Sequence, residues 1–258
     1  MEHIRELYNY REMIFSLIRR DLKGRYKGSI MGFLWTFLNP LLQLVVYTVV
    51  FSTVMRMGIE NYEVFLFVTL IPWIFFSTSI IASSGSIIYN QNLITKIYFP
   101  REVLPLSVVC SNFINMLYCF VIVLSVVFYT NREINMYLLL VLLVVMSVEF
   151  CICLGMSYIL SSLTVYFRDL EHILSVVVLA WQFMTPVMYP VSMIPCDLLP
   201  LFELNPMFHV ITCYRDILYY NKMPNMDYLI YASLYGIFIV ILGYVIFSKL
   251  KKNFVEEL

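Results

Sequence analysis

The side chains able to do chemistry are few and scattered. His3, His172 and His209 lie in different segments, and neither a carboxylate pair nor a metal-ligand spacing accompanies them, so a membrane-embedded transferase has no constellation to work with. The chain has no G-x-x-x-x-G-K-[ST] loop, so it cannot hydrolyse ATP by that route, and any energy must come from a partner or a gradient. Glu149 stands alone in a long apolar run, where a charged acid at the bilayer centre costs on the order of 3 kcal/mol. It either lines a polar pathway or bonds, protonated, to a polar group on a neighbouring helix.

The remaining charges come in short clusters. Arg19, Arg20, Lys23, Arg25 and Lys27 form one. Such cations hold anionic lipid headgroups at roughly 1 kcal/mol each, or chelate the phosphate oxygens of a lipid pyrophosphate. Arg168, Asp169, Glu171 and His172 form another, able to pair with one another or to support a contact with a partner.

The elements that position these groups must be helices in a bilayer. Hydrophobic residues make up 61% of the 258 and charged ones only 13%, with the apolar residues in blocks of about twenty. This is an all-α polytopic membrane protein. Spans are predicted at 33–54, 64–88, 103–129, 136–163, 173–189 and 228–247, as a six-span domain covering 33–258. Residues 1–32 precede it as an amphipathic interface helix: Leu7, Tyr10, Ile14, Ile18 and Leu22 recur at helical spacing, with Arg19, Arg20, Lys23 and Lys27 opposite them. Met1 to Phe15 lacks the pattern of a cleavable signal, so the start of the chain is expected to persist. Gly24, Gly28 and Gly32 mark either a close helix contact or the bend into span one.

Residues 190–227 hold Pro195, Pro200, Pro206 and Pro224 with Asp197, Glu203, His209, Arg215 and Asp216, too many breakers and charges for a lipid-facing span. Short re-entrant or outer helices suit this region. Six spans then place thirteen Lys and Arg on one side and only Arg56, Arg132, Arg215 and Lys222 on the other, which puts both termini in the cytoplasm. Tyr26, Trp35, Trp73, Tyr189 and Tyr228 fall where interfacial belts belong. Net charge is zero, which offers nothing to a nucleic acid, and Cys196 and Cys213 are able to pair if their compartment is oxidising.

Asp21-Leu-Lys-Gly-Arg-Tyr-Lys-Gly-Ser-Ile-Met-Gly-Phe-Leu-Trp35, with Asn39-Pro40 after it, resembles the entry to span one in the membrane subunits of type-2 ABC exporters. Asn92-Leu-Ile-Thr-Lys-Ile-Tyr-Phe-Pro-Arg-Glu-Val-Leu-Pro105 is similar to that family's first cytoplasmic loop, and Tyr166-Phe-Arg-Asp-Leu-Glu-His-Ile173 to its second. The resemblance spans nearly the whole chain and is closest to the branch exporting lipid-linked polysaccharide, O-antigen or teichoic acid.

It implies a permease in the bacterial cytoplasmic membrane, with no catalytic residue and no cofactor of its own. It further implies a homodimeric channel for a lipid-linked glycan, driven by two copies of a separate ATPase subunit that binds ATP and Mg. Asn92, Leu93, Ile94, Lys96, Ile97 and Tyr98, with Arg168 and Asp169, would then couple to that ATPase; Arg20, Lys23, Arg25 and Lys27 would form a headgroup portal. Trp35, Phe37, Tyr47, Tyr118 and Glu149 are the candidates to line the channel, because aromatic rings stack on sugar faces while letting a chain slide. A small-molecule or drug exporter of the same superfamily, or an ion-coupled secondary transporter, is the alternative.

Overall fold

A computed structural model describes residues 7–25, 27–129 and 135–257. The predicted helix start at Ile4, Arg5 and Glu6, the ring of Tyr26 and the turn residue Arg132 lie outside the described residues. The interface helix α1 (Arg11–Gly24) is followed by α2 (Trp35–Thr48), which runs on in a π-helical stretch to Val54. Then come α3 (Tyr62–Ser84), the short α4 (Gln91–Lys96), α5 (Val103–Tyr129), α6 (Met136–Tyr166) and α7 (Leu170–Phe183). The short α8 (Leu199–Glu203) and α9 (Pro206–Leu218) precede the last long helix α10 (Met226–Leu250) and the terminal turn α11 (Phe254–Glu257). The described residues contain no strand.

Five stretches are long and apolar enough to cross a membrane: 32–54, 62–84, 103–129, 136–166 and 226–253. Helix α3 is the centre, with 78% of its most apolar stretch buried, whereas α2 is peripheral at 6%. Pro72 and Trp73 therefore fall inside the central helix: Trp73 is buried against Phe76 rather than sitting in an interfacial belt. Helices α6 and α10 run parallel in close contact because glycines bring their backbones together; a Cβ on Gly243 would fall 2.2 Å from the Gly155 carbonyl oxygen.

Hydrogen bonds define the two ends. At one end, Arg20 Nη2 donates to Asn90 Oδ1 at 2.8 Å, Tyr166 donates to the Leu250 carbonyl at 3.1 Å, and Lys251 pairs with Glu102 at 2.5 Å. This is the basic end. At the other, Tyr62 donates to the Met188 carbonyl at 2.8 Å and Tyr219 to the Glu60 carbonyl at 2.5 Å.

The fifth predicted span, 173–189, needs correction. Its helix α7 has only 14 residues, about 21 Å at 1.5 Å per residue, and the chain then unwinds through Thr185 and Pro186. The crossing is completed by irregular backbone, which is tolerated at depth only where protein satisfies it. Here the satisfying groups are side chains. Thr69 Oγ1 donates to the Val187 carbonyl at 2.9 Å, Tyr62 takes Met188, and the Arg215 guanidinium donates to the carbonyls of Pro186, Val187 and Tyr189. Arg215 is 2% exposed and lies over the Phe65 ring at 4.0 Å, so a buried cation replaces the missing helical ladder.

From Pro190 the chain turns back inward. Asn205 bonds the Thr185 hydroxyl at 2.8 Å and receives the Trp181 indole at 2.8 Å, and its side chain caps α9, which climbs out again to Glu60. The region 190–227 is thus a re-entrant hairpin of two short helices. Cys196 is exposed and Cys213 buried, both as free thiols.

Candidate functional site

At the basic end a second hydrophobic cluster, distinct from the core between the long helices, joins Leu17 of α1, Ile87, Ile94 of α4, Phe99, Val103, Tyr158, Val165, Phe247 and Phe254. It welds interface helix, first loop and C-terminus into one body, and α4 rides on it. The consequence for the predicted coupling residues is selective. Ile94 is buried in this cluster, contrary to the expectation that it meets a partner, and Leu93 is half-buried against it. Asn92 and Lys96 are exposed, as are Ile97 (55%) and Tyr98 (85%). The helix ends at Lys96, and Ile97 is already extended on the way to Pro100. Arg168 and Asp169 are exposed at the start of α7.

Beside α4, residues Ile94 to Arg101 and Lys251–Lys252 enclose a cleft of about 610 Å³. Its cations are partly committed: Arg101 donates to the Lys251 carbonyl and lies over the Phe254 ring, and Lys251 is held by Glu102. Lys96 and Lys252 are exposed.

Of the portal cations, two are tied down. Arg20 is bonded to Asn90, and Arg25 donates to Asp21 at 2.9 Å and to Asn112 of α5 at 2.7 Å. Both anchor the interface helix while remaining exposed, as Lys23 and Lys27 are. Lys23 joins Arg19, Phe15, Ile18, Phe33 and Tyr118 around a groove of about 670 Å³ between α1, the entry to α2 and α5. Arg19 and Lys23 share the α1 wall with Phe15 and the acidic Glu12, while Phe33 and Tyr118 face them, a mixed lining that suits an amphiphile with an anionic head. Phe33 packs edge-on against Tyr118 at 5.3 Å and against Phe37 at 5.4 Å. Gly28 and Gly32 have positive φ and open space where a Cβ would be, so they make the bend into α2 rather than a close contact.

The remaining channel candidates disperse. Trp35 donates to Ser29 Oγ at 3.0 Å near the same groove, and Tyr47, further along α2, packs on the main core. Glu149 is 0% exposed and accepts from the Tyr214 hydroxyl at 2.7 Å, so it cannot face a path between two copies of the chain. The bland expectation, an acid bonded to a polar group on a neighbouring helix, describes its position.

A family model for ABC-2 type transporters matches residues 12–219. The chain belongs to the ABC-2 type transporter family. This ABC-2 chain is 38% identical to an O-antigen export system permease protein, RfbA, of Myxococcus xanthus, over 99% of its own length and 98% of the relative's. It is 33% identical to an RfbA of Klebsiella pneumoniae, covering 96% and 95%, and 23% identical to the polysialic acid transport protein KpsM of Escherichia coli, covering 87% and 89%. It is a multi-pass membrane permease.

Sequence reasoning missed Phe15 and Phe33 in the groove, Arg215 under the unwound segment, and the junction around Tyr89. For Arg215 a signal existed, a lone arginine in a proline-interrupted apolar stretch. For Tyr89 none did.

Proposed function

We propose that this permease moves a lipid-linked polysaccharide of the O-antigen kind outward across the bacterial cytoplasmic membrane. It works as a homodimer driven by two copies of a separate ATPase subunit, which binds ATP and Mg. The observation that carries the reading is 38% identity to an O-antigen export permease over essentially the whole of both chains. The site supports it: α4 presents Asn92, Lys96, Ile97 and Tyr98 outward from a rigid apolar base, so a partner pushing there moves the attached body as a unit. Lys23 and Arg19 would receive the anionic head of the lipid carrier, with Phe15, Phe33 and Tyr118 beside its apolar part.

In this reading the basic end is cytoplasmic. The exposed apolar face of α2, with Leu42, Val45, Val46 and Val49, meets the second copy across the path. The test is genetic. Deleting the chain should trap lipid-linked glycan on the inner leaflet and strip it from the cell surface, with both reversed by the plasmid-borne chain. Normal surface glycan in the deletion strain would refute the reading.

A further inference from the structure

The 3₁₀ turn Ile88–Asn90 lies immediately before α4 and holds three separate elements. Asn90 accepts from Arg20 of α1 and its amide nitrogen donates to the Ser86 carbonyl at 2.8 Å. Tyr89 donates its hydroxyl to Glu171 Oε1 in the first turn of α7. Although 69% exposed, Tyr89 is not loose, because its ring lies flat across Gly85: a Cβ there would come within 2.3 Å of Tyr89 Cε2. The glycine ending α3 thus leaves the space that points the phenol at α7. The Glu171 carboxylate it donates to holds the phenol above its usual range, so it stays a donor.

We propose that Tyr89 is a positioning residue for energy coupling, joining the partner-facing α4 to α7 through Glu171. This rests on the reading above and adds to it a named route. Helix α4 and helix α7 are separated in sequence by two long spans. The Tyr89 to Glu171 hydrogen bond links the turn that carries α4 to the start of α7. Helix α7 leads directly to the unwound segment clasped by Arg215, so a displacement entering at Glu171 arrives at the least regular part of the crossing.

The test uses the complete complex in lipid vesicles, with an undecaprenyl-linked O-antigen-type glycan as probe, and reads ATP hydrolysed per glycan moved. Tyr89→Phe and Glu171→Leu should each raise that ratio roughly fivefold, the size of one net hydrogen bond. The double variant should raise it no further than either alone, because both remove the same link. Glu171→Gln, whose amide oxygen still accepts, should restore it to within about twofold of wild type. A merely structural role would lower the yield of assembled complex and leave the ratio unmoved. Single variants at the wild-type ratio, or a double variant showing the product of both effects, overturn the proposal. A wild-type complex that moves no glycan with ATP would instead sink the functional reading, and the proposal with it.

Discussion

Arg215 shows how one residue substitutes for a turn of helix. Four side chains, Arg215, Thr69, Tyr62 and Asn205, take up the polar groups that Pro186 and its neighbours leave open inside the protein. Replacing Arg215 by Met keeps bulk and removes the donors, leaving buried carbonyls unmet at a cost on the order of 3 kcal/mol. Thermal unfolding of the purified protein should show a clearly lower midpoint, and Arg215→Lys should recover only part because an ammonium lacks the planar fork. Export by the surface residue Arg168 is a different matter. Arg168→Ala should impair glycan export while leaving membrane insertion unchanged, measured by surface glycan and by membrane-fraction blotting. Clusters were legible as clusters, and the structure places Lys23 and Arg19 of the basic one beside a groove. Glu149 misled because an acid in an apolar run does not reveal whether it faces a path or Tyr214.

At the scale of elements, hydrocarbon thickness dictates the length of charge-free runs, and the predicted 33–54, 103–129, 136–163 and 228–247 each lie within a few residues of the observed helices. The second span is displaced from 64–88 to 62–84 because Gly85 ends it so that Tyr89 can fold back, a cause visible only in three dimensions. The fifth failed for a related reason, since apolar composition does not say whether backbone is hydrogen-bonded to itself or to side chains from α3 and α9. The apolar side of α4, Leu93 and Ile94, serves the protein's own cluster. Ile94→Asp should therefore destabilise the protein, whereas Tyr98→Asp should leave folding intact and weaken association with the ATPase subunit, as read by co-purification. Equal loss of folded protein in both variants would contradict that division. Helices α6 and α10 allow a second check: Gly243→Val forces a side chain into the Gly155 backbone and should cost about 1–3 kcal/mol by overpacking.

Across the whole molecule, two bodies meet. A buried core around α3 fixes the spans, and a smaller cluster at the basic end binds α1, α4 and the C-terminal turn together. The distribution of Lys and Arg predicts that the basic end is cytoplasmic, because charge bias is carried by composition alone. The groove between α1, α2 and α5 was not legible, because it depends on a glycine-made bend that turns α2 away from α1. In the proposed function, a push on the exposed face of α4 would move the body held by the basic-end cluster, which also contains Leu17 of α1.

The proposed function is tested most directly by reconstituting this chain with its ATPase subunit in vesicles and following protection of an undecaprenyl-linked O-antigen-type glycan from an external glycosidase. ATP added on the side of the basic end should drive the glycan into the lumen, and a charge reversal of Arg19 and Lys23 together should slow it several-fold. Glycan entry that proceeds equally without ATP, or without the ATPase subunit, would contradict the account.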